Sequence, residues 1–292
     1  MSTLSTFPVT TFSIVARNPL NGDLGVATAS KFLAVGAVVP GAEAEVGAIA
    51  TQSYANTSYV PRALAALRAG IPLAQIHQAF AATDEHHSQR QYGLVDASGD
   101  SVTFTGDDCH PWAGGISREN VAAQGNLLVG PVVIEELMST FESSREAFPE
   151  RLLTALVAGD RAGGDRRGRQ SAALLVVRRG GGYGGLSDRY IDLRVDDHVD
   201  PVAGLRRLLE LQRLYFERPR EEDVLVVEGE IAERLTRVLV AAGRLDGERP
   251  WGPISEKALR ELAGIENLEE RMLDEGRIDR VVLTHLERLF GR

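Results

Sequence analysis

Two adjacent threonines, Thr10 and Thr11, stand at the front of a run in which hydroxyl and apolar residues alternate, Thr11 and Ser13 against Phe12 and Ile14. A hydroxyl is a weak nucleophile until a base takes its proton. An α-amine with a pKa near about 8 can do this for its own side chain once peptide cleavage frees it. Lys31 is the other candidate base, because a lysine can be tuned to lose its proton when desolvated, which an arginine cannot. It is one of two lysines, with Lys257, beside 30 arginines. The second lysine reads as ordinary surface.

Further polar residues interrupt otherwise apolar runs. Gly163 to Ala172 is a glycine-rich loop that carries Asp165 and Ser171 to the mouth of a strand, where functional groups concentrate. It does not open a helix, so it is no phosphate cradle. Gln124-Gly125-Asn126 places two amides in a core strand, and buried amides need partners. Thr11, Ser13, Lys31, Asp165 and Ser171 are the candidate catalytic residues. Ser30, Gln52, Gln124, Asn126 and Gln170 are the candidate substrate contacts. Cys109 and His110 are neighbours and point to opposite faces of an extended chain, so they make a poor catalytic pair. His86 and His87 diverge in the same way and no second cluster accompanies them, so neither a metal nor any other cofactor is expected.

These side chains need a scaffold, and 292 residues with 43% hydrophobic content suffice for one large core and a small second one. The formal charge of −9 argues against a nucleic-acid backbone as partner, and a single cysteine precludes an intrachain disulfide. No signal-like segment and no run of about 20 apolar residues is present, so a cytoplasmic protein that neither enters nor binds a membrane is expected.

The element pattern begins with a hairpin, residues 10–17 and 24–31, turned by Asn21-Gly22-Asp23. Short strands follow at 37–39 and 46–52. Helices are predicted over 59–69 and 72–83, strands over 91–96, 101–105 and 121–128, helices over 131–141 and 149–159, strands over 170–178 and 190–195, and a helix over 201–216. Grouped strands and helices, rather than a regular alternation, predict an α+β chain with two mainly antiparallel sheets between helical layers. The expected organisation is a leader at 1–9, a main domain at 10–216, a charged linker at 217–226 and a small helical domain at 227–292. The last has helices near 229–242, 254–262 and 279–290. Their apolar faces (Ile231, Leu235, Val238, Leu239, Leu259, Leu262, Val281, Val282, Leu286, Leu289) exceed what so small a core hides, which predicts docking on the main domain or on a second subunit of a homo-oligomer such as a dimer.

The segments 11–19 (TFSIVARNP), 24–40 (LGVATASKFLAVGAVVP), 47–52 (GAIATQ), 89–96 (QRQYGLVD), 124–128 (QGNLL), 163–177 (GGDRRGRQSAALLVV) and 188–198 (DRYIDLRVDDH) resemble the bacterial domain-of-unknown-function family 1028 over about residues 10–215. That resemblance implies a four-layer αββα sandwich of the N-terminal nucleophile hydrolase type. In many members, removal of Met alone would expose the residue corresponding to Thr11. This chain instead carries residues 1–10 before it, and Ala29 stands where the proteasome β subunit of the same fold class has an Asp. The tail, through Leu245-Asp246-Gly247 and Trp251 to Leu259, resembles a peptidoglycan-binding-like module.

Two functions follow as expectations. One is an amidohydrolase that cleaves a small linear C–N bond in a small polar amide-containing molecule. The other is a catalytically inactive protein of the same fold that binds a small ligand or serves as a scaffold.

Overall fold

The computed structural model describes residues 9–274 and 276–291, and the expected leader lies almost wholly outside them. The chain divides into two compact units, one ending at Leu208 and the other spanning Leu209–Arg292.

The first unit is a mixed α/β assembly of antiparallel sheets and helices. Its strands are β1 (Thr11–Arg17), β2 (Leu24–Ser30), β3 (Pro40–Glu43), β4 (Gly47–Ser53), β5 (Arg90–Asp96), β6 (Ser101–Thr105), β7 (Gly114–Arg118), β8 (Val121–Gly125), β9 (Ser171–Val177) and β10 (Arg189–Val195). Its helices are α1 (Tyr59–Arg68), α2 (Leu73–Thr83), α3 (Val132–Ser143) and α4 (Phe148–Arg161), and α5 (Pro201–Phe216) runs across the division. One sheet has six strands in the order β10-β9-β2-β1-β8-β7, the other four in the order β3-β4-β5-β6.

β1 is central because both its edges are paired, and six of its seven residues are buried. The side-chain period of two then sorts its residues. Val15 faces the second sheet in a core with Val26, Ala48, Ala50, Val95 and Leu175. Phe12 faces the other way, close to Gly159 at the end of α4. The outer face of the four-stranded sheet is closed by Tyr59, Ala63, Ile76 and Phe80 of α1 and α2, packed on Ile49, Tyr92 and Leu94. An ion pair ties this side together: Arg90 Nε lies 2.9 Å from Asp84 Oδ2, and both side chains are buried. Burial alone would raise the Asp84 carboxyl, but bonds from Arg90, Asn56 and Tyr59 outweigh it and hold the group well below the usual carboxylate range.

Three local expectations are corrected. The strand expected at 37–39 begins instead at Pro40, after a 3-10 turn at Val35–Ala37. Ala34 is left-handed (φ 53°) and the Val35 N–H is taken by Ser171 Oγ at 3.0 Å, so the segment is tied to β9 and not to a ladder. The strand expected over 121–128 ends at Gly125, because Leu127 is left-handed (φ 53°) and bonds the His110 carbonyl. β7 was not anticipated; two glycines and no buried residue give it little pattern.

The second unit holds α6 (Gly229–Ala241), α7 (Pro253–Ile265) and α8 (Arg280–Phe290), together with a two-stranded ribbon of β11 (Val224–Val226) and β12 (Arg277–Asp279) where only linker and helix were expected. Its core contains Leu214, Leu235, Leu239, Leu259, Leu262, Val282 and Leu286. Most of these apolar faces close on one another, while Leu289 stays exposed. Inside lies a buried pair, Arg271 with Asp279, and the same guanidinium donates to the carbonyls of Leu214 and Arg213, each at 2.8 Å.

Candidate functional site

The pairing register brings three strand ends together, since Thr11 faces Ser30 across β1 and β2, and Ser30 faces Ser171 across β2 and β9. The loop after α4 closes over them. Gly163 (φ +117°) and Gly168 (φ +109°) supply turns that other residues rarely adopt, and Leu128 bridges to Asp165. Asp165 is thereby buried at the head of β1. It accepts bonds from Thr10 Oγ1 (3.1 Å), the Lys31 N–H (3.0 Å), and the Arg167 N–H (3.0 Å), Nε (3.1 Å) and Nη2 (2.8 Å).

The Thr10–Thr11 peptide sits in the middle of this arrangement. Its carbonyl oxygen accepts a short bond from Ser30 Oγ and a long contact, 3.5 Å, from Arg167 Nη2. The Thr11 hydroxyl donates to the carbonyl of Val9 at 3.0 Å, and Val9 bridges to Ser53. Thr10 and Thr11 are both fully buried. Because they alternate across the strand, the Thr10 hydroxyl meets Asp165, whereas Thr11 precedes Ser13 on the opposite face.

That opposite face carries a network of amides between the sheets. Ser13 Oγ donates to Gln52 Oε1 (2.6 Å) and accepts from Gln124 Nε2 (2.7 Å). Gln52 Nε2 donates to the carbonyl of Thr11 (3.1 Å) and to Gln91 Oε1 (2.8 Å), which also accepts from Asn126 Nδ2 (2.9 Å). Asn126 Oδ1 is buried and takes no bond from the described residues. The network fits because position 93 is glycine: a Cβ there would lie 2.7 Å from Cδ of Gln124.

The expected residues thus divide. Asp165, Ser30 and the Lys31 backbone converge on the Thr10 and Thr11 peptide, while Ser13, Gln52, Gln124 and Asn126 form the inter-sheet network. The Lys31 side chain is exposed and bonds the Arg169 carbonyl (3.2 Å), so it is not desolvated. Ser171 Oγ donates to the Phe32 carbonyl while accepting from Val35 N–H, which makes it a brace for the 31–39 segment. Gln170 lies toward the surface and bonds Asp197 (3.1 Å). Reading the sequence missed Gln91 and Arg167. Gln91 repeats the signal of Gln52, an amide inside an apolar strand, and Arg167 follows Asp165 by two, the spacing of a local turn.

Other reactive groups stand apart. Burial pushes the Cys109 thiol up, away from thiolate chemistry. His87 stacks on Phe104 at 4.1 Å and shares the Tyr92 hydroxyl with His77. Among the described residues, no group of three or more His, Cys, Asp or Glu could hold a metal ion, and no helix is long and apolar enough to cross a membrane. A cavity of about 420 Å³ adjoins the head of β1, with Phe12, Ser30, Asp160, Asp165, Arg166 and Arg169 in its wall.

Comparison with protein families finds a match over residues 11–205 to a model described as "Family of unknown function (DUF1028)", and over residues 215–286 to one described as "Putative peptidoglycan binding domain". No curated protein matches the chain. Among solved structures, protein SPO2555 from Silicibacter pomeroyi, described as belonging to the DUF1028 family, is 27% identical with a TM-score of 0.63; the match covers 76% of this chain and 92% of that one.

Proposed function

Because the chain belongs to the DUF1028 family, whose description assigns no reaction, we propose a function from its own chemistry: a four-layer sandwich of the N-terminal nucleophile hydrolase type that cleaves a small linear amide, with Thr11 as nucleophile. The observation that carries this reading is the polarised carbonyl of Thr10, held by Ser30 Oγ and Arg167 beside the Thr11 hydroxyl. Donors aimed at such an oxygen stabilise the charge that develops when its carbon is attacked.

In this reading the Thr11 hydroxyl attacks the Thr10 carbonyl carbon and its proton passes to the departing amide nitrogen. The Thr10 acyl group moves from nitrogen to oxygen. Water then hydrolyses the ester, giving a Thr10 carboxylate, the restored Thr11 hydroxyl and a free Thr11 amine. That amine serves as base toward a substrate amide: it takes the hydroxyl proton, the substrate acyl group transfers to Thr11, and the leaving amine departs with the proton. Hydrolysis of the second ester completes the turnover. If the chain stays intact, Lys31 would have to act as the base, a role its exposed, solvated side chain does not favour.

The inactive binding protein or scaffold is supported by one observation, the full burial of Thr11 beneath Val9 and Thr10. Intact-mass measurement of the purified full chain over hours of incubation separates the two. The hydrolase reading expects a species beginning at Thr11, absent from Thr11→Ala and slower to form in Thr11→Ser. A full-length mass throughout, with amide turnover unaffected by Thr11→Ala, overturns it.

A further inference from the structure

We infer that the cavity beside the head of β1 binds the carboxylate of its ligand, so that the substrate class is a small amide bearing a carboxylate. The amide part of this inference rests on the hydrolase reading; the carboxylate part rests on the charges in the cavity wall. Two acidic groups of that wall are already answered, Asp165 by Arg167 at 2.8 Å and Asp160 by Arg169 at 2.7 Å. Arg161 and Arg166 also line the cavity, and neither makes an ion pair with a described residue. Two uncompensated guanidinium groups at one cavity run against a chain whose formal charge is −9. Arg161 lies in the last turn of α4, where the carbonyl end of the helix favours a cation, but Arg166 has no such local reason for its place.

Guanidinium is suited to a carboxylate because its fork of N–H groups matches the two oxygens. Part of the wall is apolar, with Phe12 and Val129, and about 420 Å³ lies within the range of small-molecule sites. Ser30, whose hydroxyl holds the Thr10 carbonyl, lines the same cavity. Loss of the residues through Thr10 would free that hydroxyl and remove one of the three donors on Asp165 Oδ2, extending the cavity toward the Thr11 amine. A carboxylate anchored at Arg161 and Arg166 would then share its cavity with the Ser30 hydroxyl.

The test is calorimetric titration of the full chain, wild type and Thr11→Ala, with N-acetylglycine and with N-acetylglycinamide, of similar size but with a neutral carboxamide in place of the carboxylate. The expected result is binding of the acid at least tenfold tighter than the amide in both proteins, weakening as salt is raised. The preference should be lost in Arg161→Ala/Arg166→Ala and reduced in Arg166→Gln, which keeps a long polar side chain; both positions are exposed, so folding is spared. Equal affinity for acid and amide, or a preference that survives the double variant, overturns the inference. The hydrolase reading fails separately: a carboxylate preference without cleavage or turnover removes that reading and leaves the site, and turnover without the preference does the reverse.

Discussion

At the scale of single residues, the alternation of a strand gives neighbouring threonines different surroundings. Thr10 turns its hydroxyl to a carboxylate and Thr11 turns its own away. Ser30 is the most informative substitution for the proposed reaction, because it touches the Thr10 carbonyl without being the proposed nucleophile. Ser30→Ala is expected to slow formation of the species beginning at Thr11 by about 10²–10³-fold, the usual effect of removing one such donor, with the cleavage site unchanged. Mass spectrometry over time reads this, and a wild-type rate would remove Ser30 from the mechanism. Asp84 tests stability instead. Its folded pKa is depressed, so its contribution is fully present above the unfolded value of about 4 and is lost as pH falls from there toward the folded value. Asp84→Asn should cost about 3 kcal/mol at pH 7, because it strands the buried Arg90 guanidinium, and should flatten the loss of stability below about pH 4. Urea unfolding at pH 7 and pH 3 measures both effects.

At the scale of elements, the crossing of Gln124 over position 93 holds the two sheets in register. Gly93→Ala should push the Gln124 amide away from Ser13 and cost about 3 kcal/mol by overpacking and by loss of buried hydrogen bonds, with a Gly93→Ala/Gln124→Ala double variant recovering part of it. Chemical denaturation of the three proteins checks this; strictly additive costs would show that the two positions are uncoupled. Most elements of the first unit were legible in sequence because their periodicity and punctuation agree: Ser101–Thr105 and Pro201–Phe216 have the predicted limits. The misses have physical causes. Gly114–Arg118 is an edge strand, and its exposure leaves no apolar alternation to read. The region before Pro40 is apolar like a strand, yet it turns, with the Val35 N–H donated to Ser171 Oγ and not to a ladder partner. The site was legible as a set of residues but not as a division. Which face of a strand a hydroxyl serves depends on register, and Arg167 acts on Thr10 across 157 positions of sequence.

At the scale of the whole molecule, the division between the two compact units falls inside a helix and not in the charged stretch that follows it. Leu214 of α5 belongs to the core of the second unit, and the Arg271 guanidinium bonds the carbonyls of Arg213 and Leu214. A fragment of residues 209–292 is therefore expected to unfold cooperatively, while one beginning at Glu221 should be less stable by at least about 3 kcal/mol, through the missing leucine and the stranded guanidinium. Equal urea midpoints would place the boundary after Phe216 instead. The arginine bias has a consequence for handling the protein. An amine-selective acylating reagent meets only two ε-amines: Lys257 on the second unit, with a side chain 81% exposed, and Lys31, whose amine reaches the carbonyl of Arg169 in the cavity wall. A dye attached through them reports on each unit separately. An α-amine bared at Thr11, with a pKa of about 8, would add a further site that reacts readily near neutral pH. A dye bound first at Thr11 would therefore reveal, in a single peptide map, that the chain had opened there.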